Sequence, residues 1–406
     1  MKPSVGPFQN TLTRAGDRDE YILVGGGLQN ALIALALLER RPDTRLTLVE
    51  REPALGGNHT WCFHASDVPR SARGFLEPLV VKRWPAHDVM FPSHRRRMPD
   101  EYNALTSERL HREVSARILG APHARILTAN VRAVGSSSVT LDDGLELGAE
   151  LVIDARGPAP APLVNGRASL GGGYQKFVGL ELRVDSGTAP ELPILMDATV
   201  QQIDGFRFVY VLPWASDRVL VEDTYYSTNA ALDLPVLRQR IFEYAAAAGL
   251  RVQGVLREES GVLPIPARLD LDTVPGNTVP RGSVRAGYAG GLFHPTTGYS
   301  LPVALRFALH IAGRPAADAL GAEYACLMAE HQRQVRFCLR LNRLLFGGFA
   351  PEERYRVLER FYRLPLPTIR RFYALETHAA DRARILCGRP PSGFSLRRLL
   401  SGGQPS

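Results

Sequence analysis

The chain has 406 residues, long enough for two or more packed layers around a large core, so its stability needs no disulfide or structural metal. Its 49 Lys and Arg outnumber 41 Asp and Glu, a net charge of +8, but the excess is local: from His331 to Arg371 ten arginines stand against three acids. No window approaches the ~20 uninterrupted apolar residues of a membrane-spanning helix. Cys62, Cys326, Cys338 and Cys387 form no C-x-x-C pair and no matching histidine spacing, which argues against a zinc or disulfide framework and for thiols in a reducing, cytoplasmic setting.

Residues 1–19 are polar and broken by Pro3, Pro7 and Gly16, the pattern of a flexible tail without an apolar targeting region. Tyr21 to Val24 is a short apolar run, Gly25-Gly-Gly27 a turn, and Leu28 to Arg40 an Ala/Leu-rich helix; Arg45 to Glu50 is then a second strand, completing a βαβ start. Further strands are predicted at Leu151 to Ala155, Phe177 to Val184, Arg207 to Leu212 and Arg218 to Glu222, with helices at Ala104 to Leu119 and Val236 to Ala248. From Pro302 onward the pattern becomes helical, with Glu323 to Phe346 the longest periodic stretch and Pro351 to Arg363 after Gly347-Gly348.

The turn at Gly25-x-Gly27 lets a pyrophosphate approach a helix N-terminus, where free N–H groups and the helix dipole favour anions. Leu28 opens that helix, and Glu50, with Arg51 beside it, ends the second strand where an acid accepts from a ribose hydroxyl. Asn30 stands where the motif usually carries a third small residue. The context points to a dinucleotide, and two later segments select FAD. One is Leu151-Val-Ile-Asp-Ala-Arg-Gly157, a strand ending in a glycine turn; the other, Gly287-Tyr-Ala-Gly-Gly-Leu-Phe-His-Pro-Thr-Thr-Gly-Tyr-Ser300, resembles the second FAD motif of hydroxylase and reductase flavoproteins. There Pro295, Gly298, Tyr299 and the helix from Leu301 would meet the flavin and its phosphates, while Tyr288 replaces the usual ribityl-binding Asp and Ser300 the last Gly.

From about Tyr21 to about Pro391 the chain resembles the bacterial lycopene β-cyclases. The resemblance rests on Gly25-Gly-Gly27-Leu-Gln-Asn30, Gly56-Gly-Asn-His-Thr-Trp61 with Phe63-His64, Asp154-Ala-Arg-Gly157, Tyr174 to Gly179, Met196 to Thr199 and Phe206 to Pro213. Its most discriminating blocks are Glu222-Asp-Thr-Tyr-Tyr-Ser227 and His294-Pro-Thr-Thr-Gly-Tyr-Ser-Leu-Pro302. It implies an α/β, FAD/NAD(P)-binding Rossmann-type flavoprotein with an intermixed strand-rich substrate subdomain and a helical C-terminal part. The expected division is 20–160 and 281–315 for FAD, 161–280 for substrate, and 316–406 for the basic helices.

The reaction implied is an isomerisation: protonation of the terminal double bond of a lycopene ψ-end, closure of a six-membered ring, and proton loss to a β-ring. Reduced FAD, formed with NADPH, would stabilise the cation. Protonating an alkene needs a carboxylic acid still protonated near neutral pH, which burial provides by raising its pKa. Glu222, after the apolar run Val219-Leu-Val221, matches the family's acidic motif and is favoured as the proton donor, with Asp223 in a positioning role. If the strand continues through both, Glu222 shares a face with Leu220, and Asp223 shares one with Val219 and Val221. Trp61, Phe63, Phe206, Phe208, Tyr210 and Trp214 offer π faces to a cation or simply pack.

His59, His64 and His294 lack ligand spacing, so no metal site is expected. Arg333, Arg336, Arg340 and Arg343 form one helical stripe beside an apolar stripe of Phe337, Leu341 and Leu344; Arg354, Arg356, Arg360 and Arg363 mix likewise with Tyr355, Phe361 and Tyr362. Such helices suit peripheral contact with anionic lipid, from which a C40 hydrocarbon substrate would be drawn; nucleic acid is the weaker partner, with no binding fold. The rival readings are a flavin hydroxylase or prenyl reductase acting on a lipophilic substrate, or a non-catalytic carotenoid or flavin carrier. Oligomeric state is not legible.

Overall fold

In the computed structural model, residues 19–157, 163–164, 167–168, 172–268, 283–388 and 390–400 are described. The tail expected at 1–19 lies outside them except for Asp19, which opens the first strand. That strand, Asp19–Val24, runs parallel to Leu46–Glu50 on one side and to Glu146–Asp154 on the other; Ala124–Thr128 flanks the second strand and Ser283–Arg285 the last. Val131–Val134 and Ser138–Leu141 extend this seven-stranded sheet as an antiparallel edge.

The helix Leu28–Arg40 is buried from Leu28 to Leu38, more than one face of a surface helix, because it is sandwiched between this sheet and the helix Leu301–Ala312. Its all-round Ala/Leu composition is the sequence record of that double burial.

A second seven-stranded sheet has the order Val252–Ile265, Gly173–Val184, Arg218–Ser227, Phe206–Ala215, Ile194–Asp197, His87–Phe91, His94–Met98. The segment 20–160 therefore feeds both sheets, since its strands at 87–98 complete the second one. The helix Leu234–Ala247 covers one face, meeting a cluster that includes Val178, Val209, Val219, Val221 and Tyr225. A three-stranded antiparallel sheet of Thr60–His64, Tyr102–Thr106 and Lys82–Trp84 packs Trp84, Tyr102 and Ala104 against Leu212 and Leu220 of the second sheet.

Three local expectations change. The helix predicted from Ala104 begins at Ser107, because Tyr102–Thr106 is drawn into that small sheet and Thr106 Oγ1 caps the helix by accepting from Arg109 N at 3.3 Å. The helix predicted from Val236 begins at Leu234, capped by Asp233, which accepts from Val236 N. The strand Val252–Ile265 was hidden by Arg257, Glu258 and Glu259, whose charges find partners on both faces of the sheet.

The C-terminal helix Ala322–Gly348 exposes Arg333, Arg336, Arg340 and Arg343 as the periodicity required, but Phe337 packs in the core and Leu341 and Leu344 are half-buried. The expected lipid-inserting stripe is thus turned inward, and so are Phe361 and Tyr362. Arg354 is also interior, stacked 4.5 Å from the Phe346 ring centre and donating to the Tyr226 and Phe346 carbonyls. Among the described residues no helix is long and apolar enough to cross a membrane.

Candidate active site

A cavity of about 820 Å³ runs from the glycine turn of the Rossmann sheet, past the small sheet, to the inner face of the second sheet. That is at the upper end of the range of small-ligand sites. Gly25, Gly27, Leu28, Glu50, Arg51, Gly157, Gly287, Tyr288, Gly298 and Tyr299 all border it, and so does Glu222.

At one end the backbone prepares an anion site. Gly25 has φ +93°, and a Cβ there would lie 3.0 Å from Arg156 N, so the turn closes tightly only without a side chain. The helix after it has no side-chain cap at Gly27 and no acid in its first turn, and the same holds for the helix Leu301–Ala312 beginning at Ser300. Two uncapped helix N-termini thus border one cavity, an arrangement that fits the diphosphate of a dinucleotide. Glu50 already accepts from Gly26 N at 2.6 Å and Glu52 N at 3.0 Å, bracing the turn while it borders the cavity.

Two residues expected to touch the cofactor do not border the cavity. Asn30 is fully buried and donates to the carbonyls of Val24 and Gly25, both at 2.9 Å, so it ties the glycine turn to its helix from behind. Pro295 likewise lies behind the lining, its carbonyl accepting from Asn342 Nδ2 at 2.9 Å. Tyr288, in the place of the usual Asp, stacks on Phe293 with ring centres 4.4 Å apart and donates its hydroxyl to the Gly298 carbonyl, joining the two ends of its motif.

At the other end the strand Arg218–Ser227 pairs regularly with Gly173–Val184 through both acids of the motif, so their side chains alternate. Glu222 enters the cavity; Asp223 lies on the opposite face. Glu222 accepts from Thr224 Oγ1 at 2.6 Å, and burial, followed by the nearby Glu259 carboxylate, pushes its pKa above the ordinary carboxylate range. Asp223, 0% exposed, takes a two-point hydrogen bond from Arg207 at 2.8 and 3.1 Å and one from Tyr225 Oη at 2.7 Å. Burial raises its pKa too, and Arg207 draws it back down.

The walls carry further residues, of which Glu259 and Tyr102 stand outside the motif blocks. Glu259, Tyr226 and Phe177 border the cavity, as do His64 and Tyr102. Nothing in Arg257-Glu-Glu-Ser260 distinguishes Glu259 from Glu258; strand register does, turning Glu259 inward and Glu258 outward to Arg238. Tyr299 donates to the buried Asp67 at 2.6 Å, and burial pushes Asp67 up to about 7 and His64 down to about 4. Of the aromatic candidates, Trp61, Phe208 and Tyr210 border the cavity, whereas Phe63 and Phe206 are core. His294 is structural: Nδ1 accepts from Thr296 N at 3.2 Å, and Nε2 pairs with the Phe372 carbonyl at 3.0 Å.

Residues 20–399 match the family model described as lycopene cyclase protein. This chain belongs to the lycopene cyclase family. A lycopene β-cyclase of Pantoea ananas is 43% identical over 378 residues, 92% of this chain and 95% of that protein. A lycopene β-cyclase of Pseudescherichia vulneris is 42% identical over 382 residues, covering 92% and 94%. Among solved structures, a flavin-dependent halogenase from Xanthomonas campestris superposes with a TM-score of 0.58 at 14% identity, over 81% of this cyclase-family chain and 78% of that one, a likeness of fold. The Rossmann-type flavoprotein architecture expected from the glycine turns is therefore present.

Proposed function

We infer that the protein is a lycopene β-cyclase that converts ψ-ends of lycopene to β-rings with no net redox change, giving γ-carotene and then β-carotene. The observation that carries this reading is the placement of Glu222: a half-buried carboxyl on the wall of the same cavity that begins at the glycine turn, with no arginine bonded to it among the described residues.

The cofactor is FAD. Its diphosphate would lie against Gly25, Gly27 and Leu28, its ribose near Glu50 and Arg51, and the rest of it along Gly157, Gly287, Tyr288, Gly298 and Tyr299. Reduced by NADPH, it would supply a negatively charged ring system that lowers the energy of a nearby carbocation.

The chain's own part begins with Glu222, which gives its proton to the terminal double bond; Thr224 Oγ1 holds the carboxyl in place. The ψ-end folds so that its next double bond attacks the cation, and the π faces of Phe208, Tyr210 and Trp61 shield the charge from water. Loss of a ring proton to solvent then leaves the β-ring, and a solvent proton returns to Glu222, so the cycle consumes no net proton. Raising a Glu pKa from ~4.3 to ~7 corresponds to about 3.7 kcal/mol of environment, which desolvation and a like charge can supply.

Access to a bilayer-dissolved substrate would come through the exposed arginine face at Arg333, Arg336, Arg340 and Arg343, resting on anionic headgroups. Replacing all four by Gln should abolish flotation with anionic vesicles, and undiminished flotation would discard this contact.

Expression in lycopene-accumulating cells tests the function. A cyclic product with the mass of lycopene supports it, a gain of oxygen or hydrogen would make the protein a hydroxylase or reductase, and unchanged lycopene a carrier.

A further inference from the structure

Across the second sheet one row of directly opposed residues reads Tyr210, Glu222, Gly179, Glu259. Opposed residues of antiparallel strands share a face, so this row lies on the cavity side, where Tyr210, Glu222 and Glu259 all border the cavity. The two carboxylates sit on strands either side of the one bearing Gly179, with backbones roughly 10 Å apart at two strand spacings. Gly179 puts no side chain between them; a Cβ there would come within 3.1 Å of Glu259 Cγ and 3.3 Å of Leu220 Cδ1.

The two carboxylates are provided for differently. Glu259 is fixed by Arg257 Nη1 at 2.7 Å and by Thr60 Oγ1 at 3.2 Å, and Arg257 is itself held by Glu181 and Thr60. Glu222 has the Thr224 hydroxyl. The other charged or titratable groups about Glu222 are Asp223, neutralised by Arg207 on the far face, and Cys62, Tyr210 and Tyr102; burial keeps the thiol and both phenols in their neutral forms. One carboxylate is therefore anchored at Glu259, facing a carboxyl that has no cation bonded to it among the described residues and feels Arg257 only at longer range.

We propose that Glu259 is a positioning residue of the cyclisation: an anchored carboxylate that acts across the Gly179 gap to hold Glu222 in its acid form. This rests on Glu222 being the proton donor. Burial raises both carboxyls, and Arg257, bonded to Glu259, draws that one back down, so that Glu259 is the member that ionises and Glu222 the member that keeps the proton. The burial that raises Glu222 is reinforced by the negative charge of the Glu259 carboxylate across the gap.

The test is the pH profile of initial cyclisation rate for the flavin-loaded enzyme and for Glu259→Gln. Activity requires protonated Glu222, so the rate falls as pH rises through that group's pKa. Removing the Glu259 charge lowers that pKa, and the alkaline limb should move to lower pH by about one unit, with the low-pH plateau kept. Arg257→Gln removes the opposing cation and should move the limb the other way, which keeps the proposal testable if Glu259→Gln folds poorly.

An infrared titration of the protonated carboxyl band, absent in Glu222→Gln, should show the same displacements without turnover. An unmoved limb and band in Glu259→Gln, or an equal loss of rate at every pH, overturns the proposal while leaving Glu222 as donor. Full turnover by Glu222→Gln would instead overturn the reading on which it rests.

Discussion

Glu222 and Asp223 are adjacent acids on one strand, and the two faces of the sheet make different groups of them. On the outer face, under the helix Leu234–Ala247, Asp223 receives Arg207 in a two-point bond and Tyr225, whose hydroxyl in turn accepts from Arg240 at 2.8 Å. On the inner face Glu222 receives one hydroxyl and a neighbouring carboxylate. Burial acts on both, and among the described residues only the outer acid has a cation bonded to it. The comparison teaches that desolvation makes an acid catalyst where compensation is withheld and a structural ion pair where it is supplied.

The largest effect that would sharpen this contrast is on the inner face. Glu222→Gln keeps shape and the Thr224 contact but has no proton to give, and should lower cyclisation by about 10³-fold or more while flavin absorbance and fold persist. On the outer face Asp223→Asn should act on stability, because it strands Arg207 as a buried charge; a loss of about 3–5 kcal/mol is expected in urea unfolding. A comparable loss of rate in the fully folded Asp223→Asn enzyme would break the division between the faces.

Smaller changes probe the same two environments. Tyr225→Phe removes one bond to Asp223 and should cost about 1–3 kcal/mol of stability with little change in rate. Thr224→Val removes the hydroxyl that lowers the Glu222 pKa, so that pKa rises and the alkaline limb of the rate should move by some tenths of a unit to higher pH. A downward shift would mean that Thr224 holds the acid form instead.

Much of this was legible in the sequence because it is local. The turn at Gly25, the all-apolar helix after it and the alternation through Val219 to Asp223 each follow from a few consecutive residues, and the structure keeps all three. What was not legible depends on pairing between distant segments. Glu259 looks like its neighbour Glu258 until the register with Gly179 turns it inward. Asn30 and Pro295 sit inside glycine motifs, yet their side chain and ring lie behind the lining, a matter of direction that motif spacing does not encode. The apolar stripe at Phe337, Leu341 and Leu344 has the period of a lipid-facing helix and of a core-facing one alike; packing on the rest of the fold chose the core.

Running the cyclisation in D₂O tests the central claim most directly. An acid donor on exchangeable oxygen should place one deuterium in each new β-ring of the wild-type product, and Glu222→Gln with its flavin bound should yield no ring. Rings without deuterium, or labelled rings formed at the wild-type rate by Glu222→Gln, would contradict the assignment of Glu222 as the acid.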